Sequence, residues 1–175
     1  QAQSDLTIAY DNAHLRTPLT GTTSADLSGR NLVGGVYAAT AQGPLSLTGT
    51  LTLKGQGNPN TVWIFQTNSS LITGSGSVVS LINGAQECNL YWQVLSSATL
   101  GSGSTFVGNI LALTSIDMQA AVTVHGRALA RNGSVTLIND HFTTPTCATA
   151  VTPPTTTAPG VGAPAPGAGT PAPGA

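Results

Sequence analysis

The sequence predicts a mostly-β domain: a solenoid of triangular cross-section with one α-helix lying against it. Three observations carry that reading. One stretch near the N-terminus has helical periodicity, and no second stretch does. From Val36 to about Phe142 the period is two, and Gly or Asn breaks it every few residues. Within that region "YWQVLSSATLGSGSTFVG", "NILALTSIDMQAAVTVHG" and "RALARNGSVTLIND" follow one another as copies. Trp92, Ile110 and Ala128 stand 18 residues apart, as do Phe106 and Val124, and Gly108 and Gly126. Such a step fits three short strands joined by tight corners, one turn of a triangular coil.

The elements follow in order. In "QAQSDLTIAYDNAHLRTP", Ala2, Leu6, Ala9 and Ala13 fall on one helical face, and Pro18 ends the helix. Its small alanines allow close approach to another surface. Residues 19 to 35 are turn-rich. "LSLTGTLTL" alternates Leu45, Leu47, Leu51 and Leu53, and "VWIFQ" reads as a buried strand. "VWIFQTNSSLITGSGSVVSLING" is an earlier, longer copy of the repeat, and Asn83 to Asn89 interrupts it. From Ala148 the chain becomes Pro/Thr/Ala/Gly-rich without charge, which cannot bury a core. The expected organisation is a domain over 1–147 and a disordered linker or stalk over 148–175. Gln1 in place of Met, and the repeat at the other end, suggest a piece of a longer exported polypeptide with a further domain or anchor beyond the linker.

Composition excludes several functions. Charged residues are 6% and the net charge is −1, so neither nucleic acid nor an anionic membrane is indicated. No apolar run is long enough to insert into a membrane as a helix. The acids Asp5, Asp11, Asp26, Glu87, Asp117 and Asp140 are scattered. Only Asp117 and Asp140 come near each other by rung, which is thin support for a carbohydrate enzyme. His14, His125 and His141 lack metal-ligand spacing, and the two "GSGS" stretches read as corners. Arg127 and Arg131 are expected to bond corner carbonyls or a neighbouring loop. No catalytic residue, metal or cofactor is expected.

What remains is a surface. Adjacent rungs lie about 4.8 Å apart and alternate residues along a strand about 6.7 Å apart. Thr presents a methyl and a hydroxyl held stiff at χ1, so a rigid array can order water at little entropic cost.

The stretches "GVYAATAQGPLSLTGTLTLKGQGNPNTVWIFQ", "LINGAQECNLYWQVLSSATLGSGSTFVGNILALTSI" and "VHGRALARNGSVTLIND" closely resemble the microbial ice-binding (antifreeze) protein family, over about Gln1 to Cys147. The resemblance implies a right-handed discontinuous β-solenoid of triangular cross-section with one α-helix packed alongside. It implies a secreted or cell-surface protein, acting as a monomer without cofactor. It also implies adsorption to an ice crystal surface through a flat solenoid face, with inhibition of growth and recrystallisation. Two points stand out. The resemblance implies a further segment before the helix, which is expected to lie upstream of Gln1. The family's Thr-(Ala/Gly)-x-Thr/Asn also appears as "SGST" at Ser102 to Thr105, "AAVT" at Ala120 to Thr123 and "SGSV" at Ser75 to Val78, with the first Thr replaced each time. The alternative reading is an adhesin module for a cell surface or glycan.

With Leu100, Phe106, Val124 and Val79 pointing inward, Thr105, Thr123 and Val78 point outward. The expected ice-binding residues are therefore Thr105, Thr123, Ser102, Ser104, Ser75, Ser77 and Val78. The rival column is Thr99, Asp117 and Thr136, ranked second because the charge of Asp117 orients water of its own. Cys88 and Cys147 are expected to pair. Three rungs of separation span about 14 Å, beyond the reach of a disulfide, so pairing needs a discontinuous rung order or a looped-out "NGAQECN".

Overall fold

The computed structural model describes residues 1–17, 19–23, 25–39 and 43–147. The expected linker over 148–175 and the helix-ending Pro18 lie outside the described residues. One helix, α1 (Ala2–His14), precedes fifteen described strands, and every strand pairing is parallel.

The strands form three faces. A broad face stacks β2 (Asn31–Val33), β5 (Thr50–Lys54), β8 (Val78–Ile82), the first part of β11 (Thr105–Ala112), the first part of β13 (Thr123–Ala130), and β15 (His141–Thr143). A helix face stacks β1 (Gly21–Thr23), β3 (Gly35–Ala39), β6 (Trp63–Thr67), β9 (Leu90–Val94) and the second parts of β11 and β13. A narrow face stacks β4 (Leu45–Leu47), β7 (Leu71–Thr73), β10 (Ala98–Leu100), β12 (Ile116–Met118) and β14 (Val135–Thr136). The described rungs follow one another in chain order.

The 18-residue step is the rung register itself. Phe106 pairs with Val124, Gly108 with Gly126 and Ile110 with Ala128, while Trp92 pairs with Ile110. Gly108 and Gly126 mark the corner where β11 and β13 turn from the broad face to the helix face, both at positive φ (106° and 153°). A Cβ on Gly126 would collide with the Gly108 carbonyl, so the repeat of glycine has a steric cause.

The interior is filled by Leu and by a ladder of rings. Tyr37, Phe65, Trp92 and Phe106 follow at centroid distances of 5.6, 4.4 and 5.0 Å. Phe65, Trp92 and Phe106 are each 1% exposed, so burial of these large side chains is a main source of stability.

The helix buries a different stripe from the one the alanines suggested. Ala13 is buried and Leu6 half-buried, but Ala2 and Ala9 are exposed, and Tyr10 takes the central position. Tyr10 and Ala13 pack with Ile64 and Leu111 of the helix face. Polar groups then fix the dock. The Gln93 amide donates to the Tyr10 hydroxyl (2.8 Å), and the Gln66 amide donates to the carbonyls of Ala13, His14 and Arg16 (2.7, 3.1 and 3.2 Å). Gln66 thus satisfies carbonyls at the helix C-terminus, which have no partner within the helix.

Candidate functional site

The titratable groups do not converge. Asp140 accepts from the backbone N–H of Val122 and of Ile138, both at 2.8 Å, and so pins the last corner. Asp117 lies exposed in the middle of β12 on the narrow face. Arg127 donates to Asn109 (3.2 Å), while Arg131 lies 3.6 Å from Asp11 and over the Tyr10 ring, clamping α1. Among the described residues, neither arginine bonds a corner carbonyl. His125 faces Thr143 Oγ1 (2.7 Å) and Glu87 (3.7 Å) across the edge of the broad face. Among the described residues, no group of three or more His, Cys, Asp or Glu is placed to hold a metal ion. A groove of about 760 Å³ beside α1 is lined by Arg16, Val36, Val62, Ile64 and Tyr91 among others, with no carboxylate, imidazole or thiol.

Among the described residues, α1 covers the helix face and leaves the broad and narrow faces uncovered by any helix. On the broad face, Thr50, Val78, Thr105 and Thr123 are paired successively in one register, and His141 ends the column. Their neighbours Leu51, Val79, Phe106 and Val124 are 0–3% exposed, so alternation turns the column outward. The hydroxyls of Thr50, Thr105 and Thr123 make no hydrogen bond to protein among the described residues, and remain available to water. Thr50 belongs to the column although its longer rung hid it from the 18-residue step. A second register, Asn31, Thr52 and Ser80, runs beside it on β2, β5 and β8.

The corner serines divide. Ser75 is exposed, and Ser102 is half-buried with its hydroxyl 3.3 Å from the Gln119 carboxamide. Ser77 and Ser104 are not on the surface: each is 1% exposed, and neither hydroxyl has a partner among the described residues. Their expected place on the face is corrected by parity. If Val78 and Thr105 point out, the residue just before each points in. Val122, before Thr123, is buried in the same way.

The narrow face is one residue wide. Thr99, Asp117 and Thr136 do form a registered column, which continues down through Ile72 and Ser46 to Asp26. Two carboxylates thus stand in it. The Ser28 hydroxyl donates to Asp26 (2.6 Å) and, with bonds from the Ser28 backbone and Thr48, holds its carboxyl below the usual range despite partial desolvation.

Cys88 and Cys147 form a disulfide with Cα atoms 6.1 Å apart. Rung order is not what brings them together. Residues 83–89 loop out at the corner between β8 and β9, ending in a short 3-10 turn (Glu87–Asn89) that packs on β11 and β13. The Asn109 amide donates to the carbonyls of Cys88 and Leu90, holding this loop against the stack.

The profile of a family described as Ice-binding-like matches residues 1–143. An ice-binding protein of Nostoc sp. (strain HG1) is 45% identical over 138 residues, which cover 78% of this chain and 50% of that protein. One from Flavobacterium frigoris (strain PS1) is 36% identical over 146 residues, 82% of this chain and 51% of that protein. Among solved structures, an ice-binding protein from an Antarctic biological consortium superposes with a TM-score of 0.78 at 38% identity, covering 81% of this chain and 64% of that one. One from the ascomycete Antarctomyces psychrotrophicus gives 0.76 at 36% identity, covering 81% and 68%. The chain spans about half the length of these two curated relatives.

Proposed function

This chain belongs to the ice-binding-like family, and from that premise we propose that it adsorbs to ice through the broad face, slowing crystal growth and recrystallisation. The observation that carries the choice of face is the uncharged column Thr50, Val78, Thr105 and Thr123, in unbroken register on a face the helix leaves bare. Parallel pairing fixes the repeat at about 4.8 Å per rung. The β-branched side chains hold their methyls and hydroxyls in place without further ordering on contact. Water bound to such an array is itself periodic and can join a crystal surface. An adsorbed protein then forces the ice front to bulge between attachment points, and the added curvature opposes growth. Adsorption needs no acid, base or metal, so the reading is of a binding protein rather than an enzyme. The disulfide supports action outside the reducing cytosol. The column lies wholly on one chain, so a monomer suffices.

The test is inhibition of ice recrystallisation by the purified protein, with circular dichroism as the check on folding. The wild type should keep ice grains small. Thr123→Tyr should abolish this, and Thr99→Tyr on the narrow face should not. Normal grain growth with folded wild-type protein would overturn the ice reading. Activity kept in Thr123→Tyr and lost in Thr99→Tyr would move the site to the narrow face.

A further inference from the structure

The Thr column is a line of single contacts, whereas a crystal plane is periodic in two directions. We infer that the contact surface extends sideways along the strands to Thr52 and Ser80, so that β5 and β8 each contribute two residues to it. This rests on the proposed ice binding by the broad face, and it adds residues that neither the repeat nor the family motif marks.

The placement follows from strand parity and register. On β5, Leu51 and Leu53 are fully buried, which turns Thr50, Thr52 and Lys54 outward. On β8, Val79 is 3% exposed and Val78 and Ser80 flank it on the other side of the sheet. Thr52 pairs with Ser80, one step along from the pairing of Thr50 with Val78. The two columns therefore share one rigid sheet, about 6.7 Å apart along the strands and about 4.8 Å between rungs. Neither the Thr52 nor the Ser80 hydroxyl bonds to protein among the described residues, so both are left to water.

The patch has physical limits. Above β8 the second column stops. Val107, two residues beyond Thr105, is 5% exposed where the 3-10 turn packs on β11, and His125 is engaged by Thr143 and Glu87. Beyond Thr52 on its own strand stands Lys54, whose charge holds water in an orientation foreign to a lattice. What remains is a patch two columns wide on β5 and β8 and one column wide on β11 and β13. A single column matches any plane that contains its repeat. Two columns impose a second repeat at a fixed angle, and so restrict the planes that fit. Thr52 and Ser80 are accordingly assigned to plane selection as well as to adsorption.

Fluorescently labelled wild type, Thr52→Tyr, Ser80→Tyr, Thr123→Tyr and Thr99→Tyr should be adsorbed to single ice crystals and assayed for recrystallisation inhibition. Thr52→Tyr and Ser80→Tyr should each lose inhibition at least several-fold and no longer mark the full set of planes that the wild type marks. Thr99→Tyr should match the wild type. Should a Tyr variant fail the circular dichroism check, the double variant Thr52→Ala/Ser80→Ala, with its smaller side chains, carries the test with the same expected loss. Wild-type inhibition and plane pattern in these variants, with Thr123→Tyr inactive, would overturn the second column alone. Failure of the folded wild type to adsorb would instead overturn the ice reading beneath it.

Discussion

Thr105 and Thr123 stand opposite each other on neighbouring parallel strands, and Val78 pairs with Thr105 from the other side. Val78 is therefore a gap in a hydroxyl column that resumes at Thr50. Val78→Thr keeps the branched shape and restores the missing hydroxyl. The position is outward and half-buried, so stability should change by no more than about 0.5 kcal/mol. Recrystallisation inhibition should reach its end point at lower protein concentration than in the wild type. An unchanged end point would show that a methyl serves at this rung as well as a hydroxyl.

Ser77 and Ser104 give the opposite expectation. Their hydroxyls are buried without partners, which is unfavourable by roughly 1–3 kcal/mol for a fully unsatisfied group. Ser77→Ala and Ser104→Ala should leave ice adsorption untouched and should be neutral to stabilising in urea unfolding. Loss of adsorption in either variant, with the fold kept, would contradict the inward placement.

Much of this fold is legible in the sequence because parallel rungs turn register into a fixed numerical step. Phe106 and Val124 reveal it without any long-range inference, and so do Gly108 and Gly126. The step fails where corners differ in length. Thr50 and Thr52 sit on longer rungs, with loops at 55–62 and 83–89, so no constant offset leads to them. The helix stripe departs from the alanine pattern for a chemical reason. Alanines mark a face by what they lack, while Tyr10 marks it with an apolar ring and a hydroxyl that needs a partner on Gln93. The disulfide posed a question of height along the stack, and the loop ending in Cys88 answers it by leaving its own rung. Ser77 and Ser104 turn inward by parity alone, and a corner motif does not declare which of its residues faces in.

The corners make a backbone prediction. Gly76, Gly103, Ala121 and Asn139 hold φ of 68°, 65°, 62° and 56° at the corner between narrow and broad faces. Ala121 alone meets this left-handed requirement without glycine's freedom or a polar side chain. Ala121→Gly should stabilise by a few tenths to about 1 kcal/mol, after the entropy glycine adds to the unfolded chain. Gly126→Ala should destabilise by roughly 1–3 kcal/mol from backbone strain alone, with the clash against Gly108 added. Urea midpoints measure both, and a stable Gly126→Ala would refute the packing of these two rungs.

Asp26 supplies a pH dependence. Its folded-state pKa lies below the unfolded value, chiefly through the Ser28 hydroxyl. A depressed carboxyl contributes stability above its unfolded pKa, about 3.9, and loses it as pH falls through the folded value. Melting temperatures of wild type and Asp26→Asn should therefore differ most near neutral pH and converge on acidification. Parallel curves would show that the Ser28 and Thr48 bonds do not distinguish the two ionisation states.

The disulfide separates stability from function. Cys88 and Cys147 close a loop with a sequence separation of 59, and chain-entropy reasoning gives about 4 kcal/mol for such a crosslink. Its local effect falls on two weak places. Among the described residues, β15 is an edge strand of three residues paired with β13 alone, and residues 83–89 are held otherwise by scattered bonds such as those of Asn109 and the bond from the Gly57 N–H to the Asn83 carbonyl. Both should lose amide protection first in the double variant Cys88→Ser/Cys147→Ser, while β6, β9 and β11 keep theirs. Thr105 belongs to β11, an interior strand, and Thr50, Thr52 and Ser80 lie on strands paired on both sides. The variant should therefore melt at clearly lower temperature yet adsorb to ice as the wild type does near the freezing point. If adsorption disappears while β11 retains its amide protection, the loop ending in Cys88 is part of the binding face rather than its border.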